Sequence, residues 1–136
     1  MNASSLSEMA EWLSRMDYSP SDLNKLNVIH VTGTKGKGST CAFVQSLLRT
    51  VSPERKVGLF TSPHLKSVTE RIQVNAMPLD ETLFAQYFWQ LWDRLEHSAD
   101  VKGLCAGLRH PPYFRFLTLM AWHVFLDMKV CSTPLL

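Results

Sequence analysis

The sequence predicts an α/β fold built on a parallel sheet. Three observations carry this reading. Short apolar, β-branched runs alternate with segments of helical periodicity. Two of those runs, residues 28–31 and 57–60, are joined through a helical segment rather than a tight turn. A glycine-rich stretch separates the first run from that helix.

The elements follow in chain order. Leu6, Met9, Trp12, Leu13 and Met16 recur at helical spacing behind serines suited to capping, which predicts a short amphipathic helix. Ser19-Pro20-Ser21-Asp22 marks a turn or a second helix start. Residues 28–31 read as a buried strand and residues 32–38 as the loop. Residues 39–50 follow as a helix with Phe43, Val44, Leu47 and Leu48 on one face. Residues 57–60 form a second strand, which Thr61-Ser62-Pro63-His64 breaks. Residues 71–74 and 77–79 read as short strands around a turn at Asn75-Ala76. Asp80 caps a long helix running to about Glu96, with Leu83, Tyr87, Phe88, Leu91, Trp92 and Leu95 as its stripe, and residues 97–110 form a loop. Residues 113–128 form a strongly apolar helix, with Pro112 suited to its first turn.

Composition bounds the function. With 136 residues, 46% of them apolar, the chain is about one domain in size and can bury a core. The net charge of +2 is small and the basic residues are spread out, which argues against nucleic acid and membrane surfaces as partners. Three widely spaced cysteines, with no CxxC pair, argue against a zinc site or a disulfide framework and fit reduced thiols in a cytosolic compartment. Cys41 reads as a small buried apolar residue. Glu8 and Glu11 interrupt the N-terminus, so it is no secretory signal, and no apolar run is long enough for a membrane span. The expected location is cytoplasmic; a mitochondrial form would need a longer start upstream.

The chemistry concentrates at Val31-Thr32-Gly33-Thr34-Lys35-Gly36-Lys37-Gly38-Ser39-Thr40. Its glycines let the backbone turn sharply and aim N–H groups at an anion. The helix start behind it adds free N–H groups and a partial positive charge. Lys37 can reach outer phosphates, and a hydroxyl of Ser39 or Thr40 can sit beside phosphate or magnesium. The spacing is a tighter variant of GxxxxGK, since Val31 stands where that pattern needs glycine. A glycine-rich strand-to-helix turn without a ligand is the bland alternative. A dinucleotide-binding turn fits less well, because Gly33, Gly36 and Gly38 do not give GxGxxG spacing.

Residues 30–40, followed by Phe60-Thr61-Ser62-Pro63-His64-Leu65, Glu70-Arg71-Ile72 and Pro111-Pro112-Tyr113-Phe114-Arg115-Phe116-Leu117-Thr118, together resemble the eukaryotic form of folylpolyglutamate synthase. The resemblance implies a P-loop-containing, Mur ligase-like central domain with a parallel sheet. It implies ATP-dependent addition of L-glutamate to the γ-carboxylate of tetrahydrofolate and its polyglutamates through an acyl phosphate, by a monomeric enzyme. Loop lysine and Mg²⁺ would neutralise the phosphoryl oxygens. Carried over by position, Gly36, Lys37, Gly38 and Ser39 hold the ATP phosphates, with Lys37 in the catalytic role, and Ser62 ligates Mg²⁺. By residue type alone Ser62 is a turn hydroxyl before Pro63. His64 lines the same cleft or makes a structural hydrogen bond in the turn. Tyr113, Phe114 and Arg115 match a motif near the folate site, whereas periodicity alone makes them the start of a core helix.

The resemblance covers residues 6–130 and stops there. Residues 1–130 are then the N-terminal part of the ATP-binding ligase domain, residues 131–136 a divergent tail, and the C-terminal glutamate-binding domain is absent. Pro134 is poorly suited to a central parallel strand. The expectation is a truncated sheet that leaves helices 80–96 and 112–128 partly uncovered. Two further readings stand beside the ligase: an inactive fragment that retains the phosphate loop, and a ligase acting on dihydropteroate.

Overall fold

The computed structural model describes residues 3–135, without the side chains of residues 3–6 and of Ala106, so the expected place of Leu6 on the first helix lies outside the described residues, as does Leu136. Four helices, α1 (Ala3–Ser14), α2 (Lys37–Val51), α3 (Glu81–Lys102) and α4 (Tyr113–Asp127), surround a five-stranded sheet. The strands are β1 (Val28–His30), β2 (Gly58–Phe60), β3 (Ile72–Val74), β4 (Met77–Pro78) and β5 (Thr133–Leu135), in the order β1-β5-β2-β3-β4. β1, β5 and β2 run parallel; β3 and β4 are antiparallel to their neighbours. The α/β class and the β1-α2-β2 crossover agree with the sequence reading. Among the described residues no helix is long and apolar enough to cross a membrane.

Local chemistry explains the boundaries. Asn75 and Ala76 both take positive φ, 53° and 65°, as a two-residue hairpin turn requires. The Asp80 carboxylate caps α3 by accepting from the N–H groups of Thr82 at 2.9 Å and Leu83 at 3.3 Å. The helix then runs past Glu96 to Lys102 and stops at Gly103, whose φ of 64° suits a left-handed C-terminal cap. Much of the expected loop at 97–110 is therefore helix.

The two faces of the sheet can be told apart from β2. A Cβ placed on Gly58 would lie 2.8 Å from the Phe125 ring of α4, and Phe60 belongs to the same core cluster. The alternating residues Val57 and Leu59 are buried but stand outside that cluster, so they face the side on which α2 packs. The α4 side holds the main core, with Leu91, Leu95, Met120, Val124 and Phe125 fully buried.

Two expectations are corrected, and one is seen. Pro134 does lie in the central parallel strand, opposite Ile29 of β1. It is tolerated because β5 meets β2 only at the Val57–Ser132 bridge and at Phe60–Leu135, and the proline falls between these two pairings. The missing N–H removes one rung there without ending the strand. The expected partial exposure of α3 and α4 is seen at Trp89 and Val101 of α3 and at Tyr113 and Phe114 of α4, while Leu135 of β5 packs against the core on the α4 side. Finally β1 is not buried: as the edge strand it leaves Val28 42% and Ile29 37% exposed.

Candidate functional site

Because β1 and β2 are parallel, the loops that follow them emerge at one edge of the sheet, the place where open α/β sheets bind ligands. After β1 the Val31 N–H still bonds the Leu135 carbonyl at 2.8 Å, and then the chain leaves the sheet. Gly36 takes φ 76° and becomes the N-cap of α2, a backbone conformation that a side chain would strain. No side chain caps this helix. Its first bond runs from the Thr40 N–H to the Gly36 carbonyl at 2.9 Å, so the N–H groups of Lys37, Gly38 and Ser39 have no intrahelical acceptor. They face the loop at the positive end of the helix dipole.

Lys37 bends back across the loop and donates from Nζ to the Gly33 carbonyl at 2.7 Å. Its ammonium therefore stands over the same N–H cradle. The Thr40 hydroxyl is engaged with the Gly36 carbonyl at 3.0 Å, which leaves Ser39 as the free hydroxyl of the pair. Gly36, Lys37, Gly38 and Ser39 are thus brought together as the sequence predicts.

The loop after β2 is organised by a residue the sequence reading placed in a motif but not in the site. Arg71 is buried, and its guanidinium donates from Nε to His64 Nδ1 at 2.8 Å and from Nη1 to Ser62 Oγ at 3.3 Å. The same group lies 5.8 Å from the centre of the Tyr113 ring. Ser62, His64 and Tyr113 are gathered around one cation, and no carboxylate pairs with Arg71 among the described residues. The signal was a charged residue opening an apolar strand directly after Glu70. Glu70 orders the adjoining turn: its carboxylate accepts from the N–H groups of Leu65, Lys66 and Ser67, which holds it below the usual carboxylate range. The Ser62-Pro63 bond is cis. Phe114 packs on Phe60 with ring centres 6.0 Å apart. Arg115 is paired with Glu8 of α1.

A phosphate fits the first site, where unclaimed N–H groups, a helix start and an ammonium converge. A metal ion fits less well. Of the hydroxyls named here, Ser62 Oγ already accepts from a guanidinium and Ser39 Oγ belongs to the phosphate loop, and no group of three His, Cys, Asp or Glu among the described residues is placed to hold one.

No family model matches the chain. The probable folylpolyglutamate synthase of Schizosaccharomyces pombe is 53% identical over 135 residues, 95% of this chain and 26% of that protein. The mitochondrial folylpolyglutamate synthase of Homo sapiens is 54% identical over 125 residues, 92% of this chain and 20% of that protein. Among solved structures, folylpolyglutamate synthase from Thermotoga maritima matches with a TM-score of 0.78 at 27% identity, over 96% of this chain and 28% of that one. The Mycobacterium tuberculosis enzyme, solved with ADP and AMPPCP, matches with a TM-score of 0.77 at 25% identity over the same shares. The chain spans about a quarter of the length of the relatives it matches. Loop, motif order and fold agree with these matches: the chain is similar to a segment of folylpolyglutamate synthases about a quarter of their length.

Proposed function

We propose that this chain provides the ATP-phosphate site of an enzyme that adds L-glutamate to the γ-carboxylate of tetrahydrofolate or its polyglutamates. The observation that carries this is the uncapped start of α2 with Lys37 folded over it. The reaction is ATP-dependent: the folate carboxylate attacks the γ-phosphate, and the glutamate amine displaces phosphate from the resulting acyl phosphate. Gly36 turns the backbone, Lys37, Gly38 and Ser39 contribute N–H groups to the phosphates, and the Lys37 ammonium balances charge on the transferred group. Mg²⁺, when bound, would neutralise phosphoryl oxygens, with Ser62 as its ligand from this chain. His64, Tyr113 and Phe114 line the folate side; Arg115, tied to Glu8, is the weakest of the matched positions. Supporting this reading, one solved neighbour, a bifunctional folylpolyglutamate synthase/dihydrofolate synthase, is described with Mn, AMPPNP and L-glutamate bound. The enzyme acts as a cytoplasmic monomer, with a mitochondrial counterpart as in the human relative's name.

Calorimetric titration with Mg-ATP tests the loop. Lys37→Ala removes a charge-assisted contact and weakens binding by roughly ten- to a hundredfold. Equal affinities for both proteins would remove the loop from the ATP site. Incorporation of labelled glutamate into tetrahydrofolate tests the ligase reading. A dihydropteroate acceptor is the second reading, favoured by the bifunctional neighbours; the same assay with dihydropteroate in place of tetrahydrofolate separates the two.

A further inference from the structure

The loop that follows β2 is built around a second cation, one that the phosphate loop does not use. Arg71 closes the short turn 68–71 and is only 8% exposed. Its carbonyl accepts from the Thr61 N–H at 3.0 Å, which pins its backbone beside the end of β2. Its guanidinium meets two lone-pair acceptors, His64 Nδ1 and Ser62 Oγ, and the ring of Tyr113; none of these is an anion.

The carboxylate next to it in sequence is spent elsewhere. Glu70 accepts from the N–H groups of Leu65, Lys66 and Ser67, and no carboxylate among the described residues forms an ion pair with Arg71. A buried charge is ordinarily paired, because leaving it alone is costly. The guanidinium is also only partly used. Nε and Nη1 are engaged, while Nη2 has no acceptor among the described residues. Five donors in one plane suit an oxyanion on the unused side. A ligand can reach it, because Tyr113 beside it is 60% exposed and Ser62 and His64 are half-buried.

The ring beside Arg71 marks a helix start. Tyr113 is the first residue of α4, and no side chain caps that helix. Its first bond runs from the Phe116 N–H to the Pro112 carbonyl at 3.0 Å, so the N–H groups of Tyr113 and Phe114 have no intrahelical acceptor. A fixed cation and the positive end of a helix therefore meet at the loop after β2, as Lys37 and α2 do at the loop after β1.

The proposed reaction brings two anions to this edge of the sheet, the ATP phosphates and the acceptor carboxylate. Lys37 and the start of α2 already serve the phosphates, which leaves the second cation to the carboxylate. We infer that Arg71 anchors the reacting γ-carboxylate of the acceptor, an assignment that rests on the ligase reading. One carboxylate oxygen sits on Nη2. The other stays free to bond the γ-phosphorus as the bond from that phosphorus to ADP breaks, which gives the acyl phosphate and ADP.

The test is a calorimetric titration of the whole chain with tetrahydrofolate, its γ-monoamide and its α-monoamide, with oxygen excluded. The γ-amide should bind at least about tenfold more weakly than the acid, and the α-amide within about threefold of it. Arg71→Met should weaken the acid by a similar factor and erase the difference between acid and γ-amide, which a merely structural loss would not do. If Arg71→Met unfolds the protein, Arg71→Lys takes its place, keeping the charge but not the planar donors, and the analogue series itself needs no variant. Equal binding of acid and γ-amide by the unaltered chain, a difference preserved in the variant, or a loss confined to Mg-ATP would overturn this assignment alone. No binding of tetrahydrofolate at all would overturn the acceptor reading along with it.

Discussion

Helices α2 and α4 have the same length, 15 residues each, and pack on opposite faces of the same sheet, yet they are used differently. α4 buries eight residues, among them Phe116, Leu117, Met120 and Phe125. α2 buries two, Cys41 and Gln45, and leaves Phe43, Leu47 and Val51 exposed at 72%, 65% and 80%. The polar atoms differ as well. His123 of α4 is bonded to Tyr18 at 2.8 Å, whereas the buried Gln45 Nε2 of α2 finds no partner among the described residues. One helix stabilises the fold; the other presents its N-terminus. Stability and ligand chemistry are therefore mapped to different faces, and substitutions should separate them.

The largest effect should come from Phe125→Ala. Removing a fully buried ring from the α4 side should lower unfolding free energy by about 3–5 kcal/mol in a urea titration. A cost no larger than that of Phe43→Ala would abolish the contrast. Next, Gly58→Ala places a methyl 2.8 Å from the Phe125 ring and should cost about 1–3 kcal/mol. Pairing it with Phe125→Leu should recover part of that loss, which locates the strain at this contact.

A smaller, pH-dependent effect should come from His123. Burial, and then the nearby Arg94, hold its imidazole below the usual value, while Asp127 pulls the other way. Tyr87 packs edge-on against it, and Gln90 lies 3.4 Å from its Nε2. The unfolded chain therefore takes up the proton more readily than the folded one. The stabilisation is complete above the ordinary value of 6.5 and is lost as pH falls below it. Thermal melts at about pH 7.5 and about pH 5.5 should show a drop that narrows in His123→Gln. A drop of the same size in the variant would mean that other groups carry it. The smallest effect should be that of Phe43→Ser with Leu47→Ser, each within about 0.5 kcal/mol by urea titration, because their side chains already face solvent.

Much of this division can be read from residues in order. The glycines before Lys37, the Asn75-Ala76 turn, the Asp80 cap and the apolar run of α4 each act through neighbours in sequence, so their signals are local. The failures are places where the decisive partner is remote. Pro134 argues against a strand only until the gap in the β2 ladder is known. Val28 and Ile29 look buried by composition, but burial depends on whether another element lies over them. Arg71 becomes a centre only when the loop from Ser62 to His64 folds back onto it. The extent of α3 was a local signal passed over, since Gly103 is the first glycine after its start.

The position of β5 has a consequence for synthesis. Neither β1 nor β2 has a parallel partner until residues 133–135 leave the ribosome, and the Asn27–Cys131 hydrogen bond closes a separation of 104 residues. Helices α2, α3 and α4 can form as they emerge, but β1 and β2 are joined only once β5 is made. Loop closure of that length is slow. During the wait two strand edges stand open beside the bare stripe of α2. A nascent chain at this stage is a natural client for holdase chaperones, and its yield in the cell should depend on how quickly β5 arrives.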